Sequence, residues 1–224
     1  LVSRYGNDTP KFRVASSKML NTFILSMRGT PYCYYGDELG MTNIGFETIE
    51  EYQDIAAING YKKVVHSGGD VDSYMKNLKF GSRDNGRTPM QWDTTKNAGF
   101  TTGSPWLPAN ENYMTVNVEN ENNDATSVLN HFRKMVKLRK ENPVLIYGKY
   151  ELLQAEHPTI YAYTRELENE KMLVLLNFSE TNSEILIDNV TSDATIKINN
   201  YPNLSIENNK ITLEPYQAVI ISLK

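Results

Sequence analysis

The sequence predicts an α/β region followed by an antiparallel β-sandwich, and three observations support that prediction. A helical pattern leads into a short aromatic run that ends in Gly36-Asp37-Glu38, which is the anatomy of one unit of an α/β barrel. A long polar interval, residues 36–123, separates this unit from the next strongly amphipathic helix. From residue 144 onward, short apolar runs alternate with Asn, Asp, Gly and Pro, a pattern typical of a sandwich.

The first helix is expected to begin at Thr9-Pro10, because Thr caps helices and Pro is favoured at the first helical position. Gly29 is expected to end it. Residues 30–35 form a short, aromatic-rich apolar run and predict a buried strand. The apolar face of the helix is expected to comprise Val14, Leu20, Phe23, Ile24 and Met27.

The interval 36–123 is expected to contain structure of its own, since connections inside a domain have a median of about five residues. Thr48-Ile49-Glu50-Glu51 is a capping box and predicts a helix that runs to about Asn59. Asp70 is expected to cap a second helix that runs through Lys79. A polar loop, residues 83–93, follows.

Asp124 is expected to cap the next helix, and Asn142-Pro143 is expected to end it. The predicted domain boundary lies at this point and separates residues 1–142 from residues 143–224. The apolar stripe of the helix is expected to comprise Val128, Leu129, Phe132, Met135 and Val136, with His131 packed beside it. The predicted strands lie near residues 160–164, 172–178, 184–187, 194–198, 211–213 and 218–223.

The composition excludes several classes of protein. The chain has 224 residues, a net charge of −4 and no basic stripe, which argues against a nucleic-acid partner. It has no apolar run near the ~20 residues that span a membrane. The single cysteine, Cys33, cannot form an internal disulfide. His66, His131 and His157 are scattered without metal-ligand spacing, so we expect neither a metal nor a cofactor.

The loop 83–93 holds the strongest candidates for a binding site. It combines two arginines, two aspartates, Asn85, Gln91 and Trp92. Guanidinium forks and carboxylates bind paired hydroxyls, and Trp offers a flat apolar face, so this chemistry suits a sugar ring. The alternative is an ion-paired loop in which Arg83 and Arg87 bind Asp84 or Asp93. Trp92 and Trp106 are expected to anchor loops more readily than to stack on sugar.

Four ordered motifs resemble those of a known family. The segment Arg83-Asp84-Asn85-Gly86-Arg87-Thr88-Pro89-Met90-Gln91-Trp92-Asp93 resembles a loop of the oligo-1,6-glucosidase and α-glucosidase group, within the α-amylase family of glycoside hydrolases (family 13). Residues 1–8 resemble the residues that follow that family's Asn-His-Asp motif. Residues 29–43 resemble its eighth barrel strand and the following turn, and residues 97–106 continue the pattern.

The resemblance implies the C-terminal part of a (β/α)₈ TIM barrel, namely its last helix, strand and helix with a long loop over the substrate. It gives Arg83 contact with the non-reducing glucose at the −1 subsite and places Arg87 beside it. It also implies that the three catalytic carboxylates precede residue 1, so no catalytic residue is expected here. Asp37 and Glu38 are expected to build the barrel rim. Relatives often have Glu where this chain has Ala56, which leaves α-1,6 preference open.

The sequence therefore predicts the C-terminal portion of a retaining α-glucosidase that is inactive alone, while its parent hydrolyses terminal α-linked glucose from short oligosaccharides. Isomaltose, maltose, dextran ends and trehalose 6-phosphate all remain candidate substrates. The rival hypothesis is a non-catalytic carbohydrate-binding or structural module. We expect a small oligosaccharide as the ligand and neither a nucleic acid nor a membrane as a partner. Residues 1–142 are expected to self-associate, to bind a partner chain or to rearrange. The expected compartment is the cytoplasm, with the periplasm as the alternative.

Overall fold

The structure is a computed structural model that describes residues 1–188, 190–191 and 193–223. Its first 147 residues are helices and loops, and its strands all follow in the described part of the chain. Short 3₁₀ turns lie at Asp37–Leu39, Ile49–Glu51, Arg83–Gly86, Lys96–Gly99 and Glu111–Met114. The α-helices are α1 Val2–Tyr5, α2 Arg13–Ser26, α3 Ile55–His66, α4 Val71–Gly81, α5 Val118–Asn123, α6 Val128–Glu141 and α7 Val144–Tyr147.

Helix α2 begins later than the sequence predicts. The Thr9 hydroxyl donates to the Asn7 side chain at 2.6 Å instead of capping the helix, and residues 9–12 form a turn. The predicted apolar face is also partly wrong, because Val14 is 37% exposed. Small polar side chains share the buried face with Met19 and Leu20, which lets α2 lie close to α6 and to the sheet.

The strand predicted at residues 30–35 is wrong. The backbone there carries no strand assignment and ends in a turn at residues 35–36, and Tyr32 is 88% exposed. A strand is defined by a neighbour that accepts and donates its backbone hydrogen bonds, and neither sheet in the described residues supplies one. We refer to residues 30–36 as the linking segment, because they connect the end of α2 to the 3₁₀ turn at Asp37–Leu39.

The antiparallel sandwich is confirmed. One sheet has the strand order β1-β2-β3-β8-β5, and the other has β4-β7-β6. The sequence analysis missed β1 and β6, which are short or largely exposed. The strands are β1 Lys149–Leu153, β2 Ile160–Leu167, β3 Glu170–Asn177, β4 Ser183–Leu186, β5 Thr195–Asn199, β6 Ser205–Glu207, β7 Lys210–Leu213 and β8 Ala218–Leu223.

The larger sheet is buried on both faces, which explains why β3 and β8 read as nearly continuous apolar runs. One face packs against the smaller sheet through residues such as Leu173, Ile211 and Ile221. The other face packs against α2, α6 and α7 through residues such as Met19, Met135 and Val174. The sandwich and the helices therefore share one continuous core.

The interval 36–123 has a small core of its own, as the sequence predicts. Phe46, Tyr52, Ala57 and Leu107 pack together beneath α3 and α4. A second cluster of Leu39, Val116 and Leu129 joins the interval to α6. These contacts fix the polar loop 83–93 relative to the linking segment.

Candidate functional site

The polar loop is fastened to the start of α3 by a buried carboxylate. Asp84 is completely buried, and its Oδ2 atom accepts hydrogen bonds from the backbone N–H groups of Gln53 at 2.8 Å and Asp54 at 2.9 Å. Its Oδ1 atom lies 3.3 Å from Arg87 Nη1. Asp84 therefore satisfies backbone donors that precede α3 and holds Arg87 in place.

Arg83 forms a two-point ion pair with Asp54, the residue that caps α3. Arg83 Nε donates to Asp54 Oδ2 at 2.8 Å, and Arg83 Nη2 donates to Asp54 Oδ1 at 2.5 Å. The hydrogen bonds from Arg83 lower the pKa of the Asp54 carboxyl. The Arg83 side chain is still 63% exposed. The ion-paired alternative was therefore right about pairing, but it named the wrong partner for Arg83, because Asp93 instead binds Thr95.

Arg83 and Arg87 line one cavity of about 420 Å³ beside the linking segment. Tyr34 and Tyr35 line the same cavity, and their ring centroids are 4.8 Å apart. The Tyr35 hydroxyl lies 2.9 Å from the carbonyl oxygens of Gly86 and of Thr88, which joins the linking segment to the loop. We call this space the arginine cavity. The described residues lining it also include Arg4, Asp37, Asn43, Phe80 and Asn85.

A second cavity of about 370 Å³ adjoins the first. Tyr35, Arg87 and Thr88 line both cavities. The second cavity is otherwise lined by apolar and aromatic side chains, including Phe100 and Trp106. Trp106 is 64% exposed and Trp92 is 49% exposed, so the expectation of buried tryptophans that anchor loops is wrong for both.

Asp37 and Glu38 do not form a pair across one bond. Both lie on the 3₁₀ turn Asp37–Leu39 rather than at a strand end. Asp37 Oδ2 accepts from the Tyr34 backbone at 3.3 Å, which stabilises the turn that follows the linking segment. The expected structural role of Asp37 fits this contact. The argument from alternating strand residues does not apply, because Asp37 and Glu38 do not lie on a strand.

The histidines and the cysteine occupy separate places. His131 is buried and lies 2.8 Å from the Thr22 hydroxyl, so the expected packing role on α6 is confirmed. His157 contacts the Glu184 carbonyl at 2.9 Å. Within the described ranges, no group of three or more His, Cys, Asp or Glu side chains has the arrangement of a metal site. In that same part of the chain, no helix is long and apolar enough to cross a membrane.

Sequence reasoning missed three contributors to the site. Asp54 lies 29 residues before Arg83, and its position at a helix N-cap gave no sign of that pairing. Tyr34 and Tyr35 were assigned to a buried strand, although they line the cavity. The apolar wall that Phe100 and Trp106 share with Pro89 and Met90 has no signal in the sequence beyond the two aromatic residues themselves.

Comparison with known proteins agrees with these motifs. Residues 1–148 match the family model described as the α-amylase catalytic domain, and residues 160–220 match the model described as the C-terminal domain of the α-amylase SusG. The predicted combination of a barrel-derived α/β region with a following β domain is thereby confirmed.

Curated relatives are similar along the whole chain. An oligo-1,6-glucosidase of Bacillus cereus is 44% identical over 229 residues, which cover 100% of this chain and 40% of the relative. A trehalose-6-phosphate hydrolase of Bacillus subtilis is 40% identical over 228 residues with the same coverage. The chain thus spans about 40% of the length of the curated relatives it matches.

A solved structure shows the same arrangement. The crystal structure of trehalose-6-phosphate hydrolase from Bacillus licheniformis superposes with a TM-score of 0.92 at 41% identity. The superposition covers 99% of this chain and 40% of that one. Both the helical region and the sandwich are therefore placed as they are in that enzyme.

Proposed function

We propose a function on the premise that this chain belongs to the α-amylase family of glycoside hydrolases. The chain is part of a retaining α-glucosidase that removes terminal α-linked glucose from short oligosaccharides. Its own contribution is to bind and orient the sugar, and the catalytic carboxylates belong to polypeptide outside these 224 residues. The division of the chain at residue 142 and a cytoplasmic location remain part of this proposal.

The observation that supports the proposal is that Arg83 and Arg87 line one cavity with Tyr34 and Tyr35. Asp54 engages Arg83 through Nε and Nη2, which leaves Nη1 to donate to a sugar hydroxyl. The ion pair also fixes the guanidinium plane before a ligand arrives, so less side-chain freedom is lost on binding. The tyrosine rings offer apolar faces for the C–H side of a sugar ring.

The chemistry of the cavity supports placing the catalytic groups elsewhere. Retaining glycosidases need two carboxyl groups about 5–5.5 Å apart, one as nucleophile and one as acid and base. Asp37 is the one carboxylate among the described residues that line the arginine cavity, and it holds the backbone of Tyr34. Positioning alone can lower a barrier by several kcal/mol, up to about 7–11 in the most favourable cases.

The proposed substrates are short α-glucosides. Relatives named oligo-1,6-glucosidase and trehalose-6-phosphate hydrolase have similar overall identity to this chain. The family resemblance implies a Glu in many oligo-1,6-glucosidases where this chain has Ala56, so the proposal includes α-1,4 as well as α-1,6 bonds. A phosphorylated disaccharide is the remaining candidate.

Turnover of p-nitrophenyl α-glucoside by the purified 224-residue protein tests the assignment of the catalytic groups. We expect no hydrolysis above the buffer rate, because one carboxylate cannot supply both catalytic roles. Specific turnover that scales with protein concentration would contradict the assignment.

Titration with isomaltose, followed by ligand-observed NMR, tests the role of Arg83. We expect binding weaker than submillimolar in the unmodified protein and about ten-fold weaker again in Arg83→Gln, since ~1.4 kcal/mol of lost hydrogen bonding is a ten-fold change. Arg133→Gln is the matched control, because Arg133 is an exposed arginine on α6. Equal binding by Arg83→Gln and the control would remove Arg83 from the site.

The same titration distinguishes the rival function. Submillimolar binding of maltose or isomaltose without turnover would favour a carbohydrate-binding module. The helical region and its cavity fit a glucosidase better, because a sandwich that binds sugar alone has no use for them.

A further inference from the structure

At the C-terminus of helix α2, the Met27 N–H donates to the Phe23 carbonyl at 3.2 Å, but no left-handed residue caps the helix. Its last turn contains no basic residue, and the residue after it, Met27, is extended rather than left-handed. The last carbonyl groups of a helix lack partners within the helix and carry its negative dipole end. In this buried position they need donors from elsewhere in the chain.

Arg139, from the last turn of α6, supplies several of these donors. It is 7% exposed. Its Nη1 atom donates to the carbonyl oxygens of Leu25 at 2.8 Å, Met27 at 2.9 Å and Leu145 at 2.8 Å. Its Nη2 atom donates to the Gly29 carbonyl at 2.5 Å. One guanidinium therefore binds the chain from the last turn of α2 to Gly29, the residue directly before the linking segment.

Arg165, from β2 of the sandwich, supplies the rest. It is 0% exposed. Its Nη1 atom donates to the Ser26 carbonyl at 2.5 Å and to the Leu145 carbonyl at 2.9 Å, and its Nη2 atom donates to Gly148 at 2.9 Å. The two guanidinium groups thus share the Leu145 carbonyl and connect the sandwich to the end of α2.

This arrangement is costly. Within the described ranges neither arginine forms an ion pair with a carboxylate, and Arg165 Nε has no hydrogen-bond partner. Burial lowers the pKa of both guanidinium groups. Each guanidinium nevertheless donates to buried carbonyl groups that would otherwise lack partners, so the two arginines fix the position of the end of α2 although their burial is costly.

The position of Arg139 and Arg165 suggests what the two arginines do. The linking segment begins directly after Gly29, and the backbone of residues 30–33 makes no hydrogen bond to the described part of the chain. A cavity of about 240 Å³ lies beneath residues 31–33, and Arg139 lines it. Directly after these residues, Tyr34, Tyr35 and Asp37 line the arginine cavity. The segment is therefore held mainly at its ends, and Arg139 and Arg165 hold the end that leaves α2.

We propose that Arg139 and Arg165 are positioning residues, which set the place of the linking segment and hence the tyrosine wall of the arginine cavity. The β-sandwich then takes part in the site through Arg165, without touching a ligand. The use of that wall for sugar rests on the proposed function, but the positioning itself does not.

The reactivity of the Cys33 thiol reports the conformation of the linking segment. Cys33 is the only cysteine in the sequence, and it lies between Gly29 and the tyrosine wall. Burial, with the charges of Glu38 and Asp37, raises the pKa of its thiol from 9.0 to about 11. Only the thiolate reacts with a disulfide reagent. Release of the segment lowers the pKa toward 9.0 and increases the thiolate fraction at pH 8 by up to ~100-fold, since each pKa unit is a ten-fold change.

The test compares the rate of Cys33 labelling by 5,5′-dithiobis(2-nitrobenzoate) at pH 8 in folded variants. Arg139→Met and Arg165→Met keep the side-chain length and remove the donors, and we expect labelling at least ten-fold faster than in the unmodified protein. Arg133→Met is the matched control, because Arg133 is an exposed arginine on the same helix whose Nη1 donates to the Asn130 side chain at 3.0 Å. It should label at the original rate.

Circular dichroism at each condition establishes that the variants are folded, and a labelling rate that does not change with low urea excludes global unfolding. Arg139→Lys and Arg165→Lys serve if the methionine variants fail to fold, and an intermediate rate is then expected, because one ammonium reaches fewer carbonyls than a guanidinium. Folded variants that label at the original rate would overturn the proposal. No sugar enters this experiment, so its outcome is separate from that of the glucosidase assays.

Discussion

At the scale of single residues, the sequence predicts candidate site residues more readily than their partners. Arg83 and Arg87 are candidates from residue type and, more strongly, from the family resemblance, and both line the arginine cavity. The pairing of Arg87 with Asp84 is among the predicted alternatives, but the partner of Arg83 is not. Asp54 reaches Arg83 only because α3 and the polar loop pack together, and such a pairing has no periodic signal in a sequence.

His131 makes the stability of the protein depend on pH. Burial and the nearby charges of Lys18 and Lys134 lower the pKa of its imidazole from 6.5 to about 3. The Thr22 hydroxyl donates its one hydrogen to the Lys18 carbonyl at 2.9 Å, so it accepts a hydrogen bond from His131 Nε2–H. The buried ring is therefore neutral and carries its proton on Nε2.

The expected result is a loss of stability on mild acidification. Below pH 6.5 the unfolded chain binds a proton that the folded chain does not, so stability is full above that pH and declines as the pH falls toward 3. The free energy of unfolding should fall by about 1.4 kcal/mol per pH unit, or about 2 kcal/mol between pH 6.5 and pH 5. Urea unfolding at pH 7, 6 and 5 measures this slope.

His131→Gln should abolish most of that slope, because the amide can still donate to Thr22 and does not titrate. His66→Gln is the matched control, since His66 is exposed at the end of α3. An unchanged slope in His131→Gln would show that another group controls the acid response.

At the scale of elements, the helices were easier to predict than their ends. Asp70 caps α4 through the Ser73 backbone N–H at 2.9 Å, as predicted. The capping box at Thr48 is present, but it opens a single 3₁₀ turn rather than a helix to Asn59. Asp124 does not cap α6, because Ser127 accepts from Asn130 there at 3.1 Å. Several Asn, Asp, Ser and Thr residues compete at each helix start, and tertiary contacts decide among them.

The 3₁₀ turn after Thr48 ends before α3 begins, and this interruption leads to a prediction for Asp84. Its carboxylate binds the backbone N–H groups of Gln53 and Asp54, which a continuous helix would have used internally. Asp84→Ala leaves both donors and Arg87 without this partner. We expect a loss of about 1.5–3 kcal/mol in the free energy of unfolding, the range for hydrogen bonds that involve a charged group. The midpoint of urea unfolding measures this loss.

Two further variants sharpen that measurement. Asp84→Asn keeps one acceptor oxygen and should lose about half as much. Asp72→Asn changes an exposed carboxylate in the first turn of α4 and should stay within ~0.5 kcal/mol of the unmodified protein. If Asp84→Ala were no less stable than Asp72→Asn, the carboxylate would not be what fastens the loop to α3.

At the scale of the whole molecule, the sandwich was predictable and the barrel strand was not. Alternating or continuous apolar runs with turn residues between them predict six of the eight strands in the described part of the chain, because that signal is local. Residues 30–35 are also rich in aromatic residues, yet a strand needs a neighbouring strand, and the described residues offer none. Most of the linking segment is therefore exposed.

That exposure predicts self-association of the protein. Tyr32 is 88% exposed and lines the apolar cavity between α2, α6 and the linking segment. Tyr34 is 57% exposed and lines the arginine cavity. Contiguous aromatic surface of this kind favours burial against a second copy. Light scattering should give a mass above the 25.5 kDa of one chain at micromolar concentration.

Tyr32→Ser should weaken the association about ten-fold, because ~1.4 kcal/mol of lost apolar burial is a ten-fold change in the dissociation constant. Tyr147→Ser, which changes a tyrosine that is 68% exposed and lies outside these cavities, should leave it unchanged. A monodisperse monomer up to tens of micromolar would mean that the exposed tyrosines tolerate water without a partner.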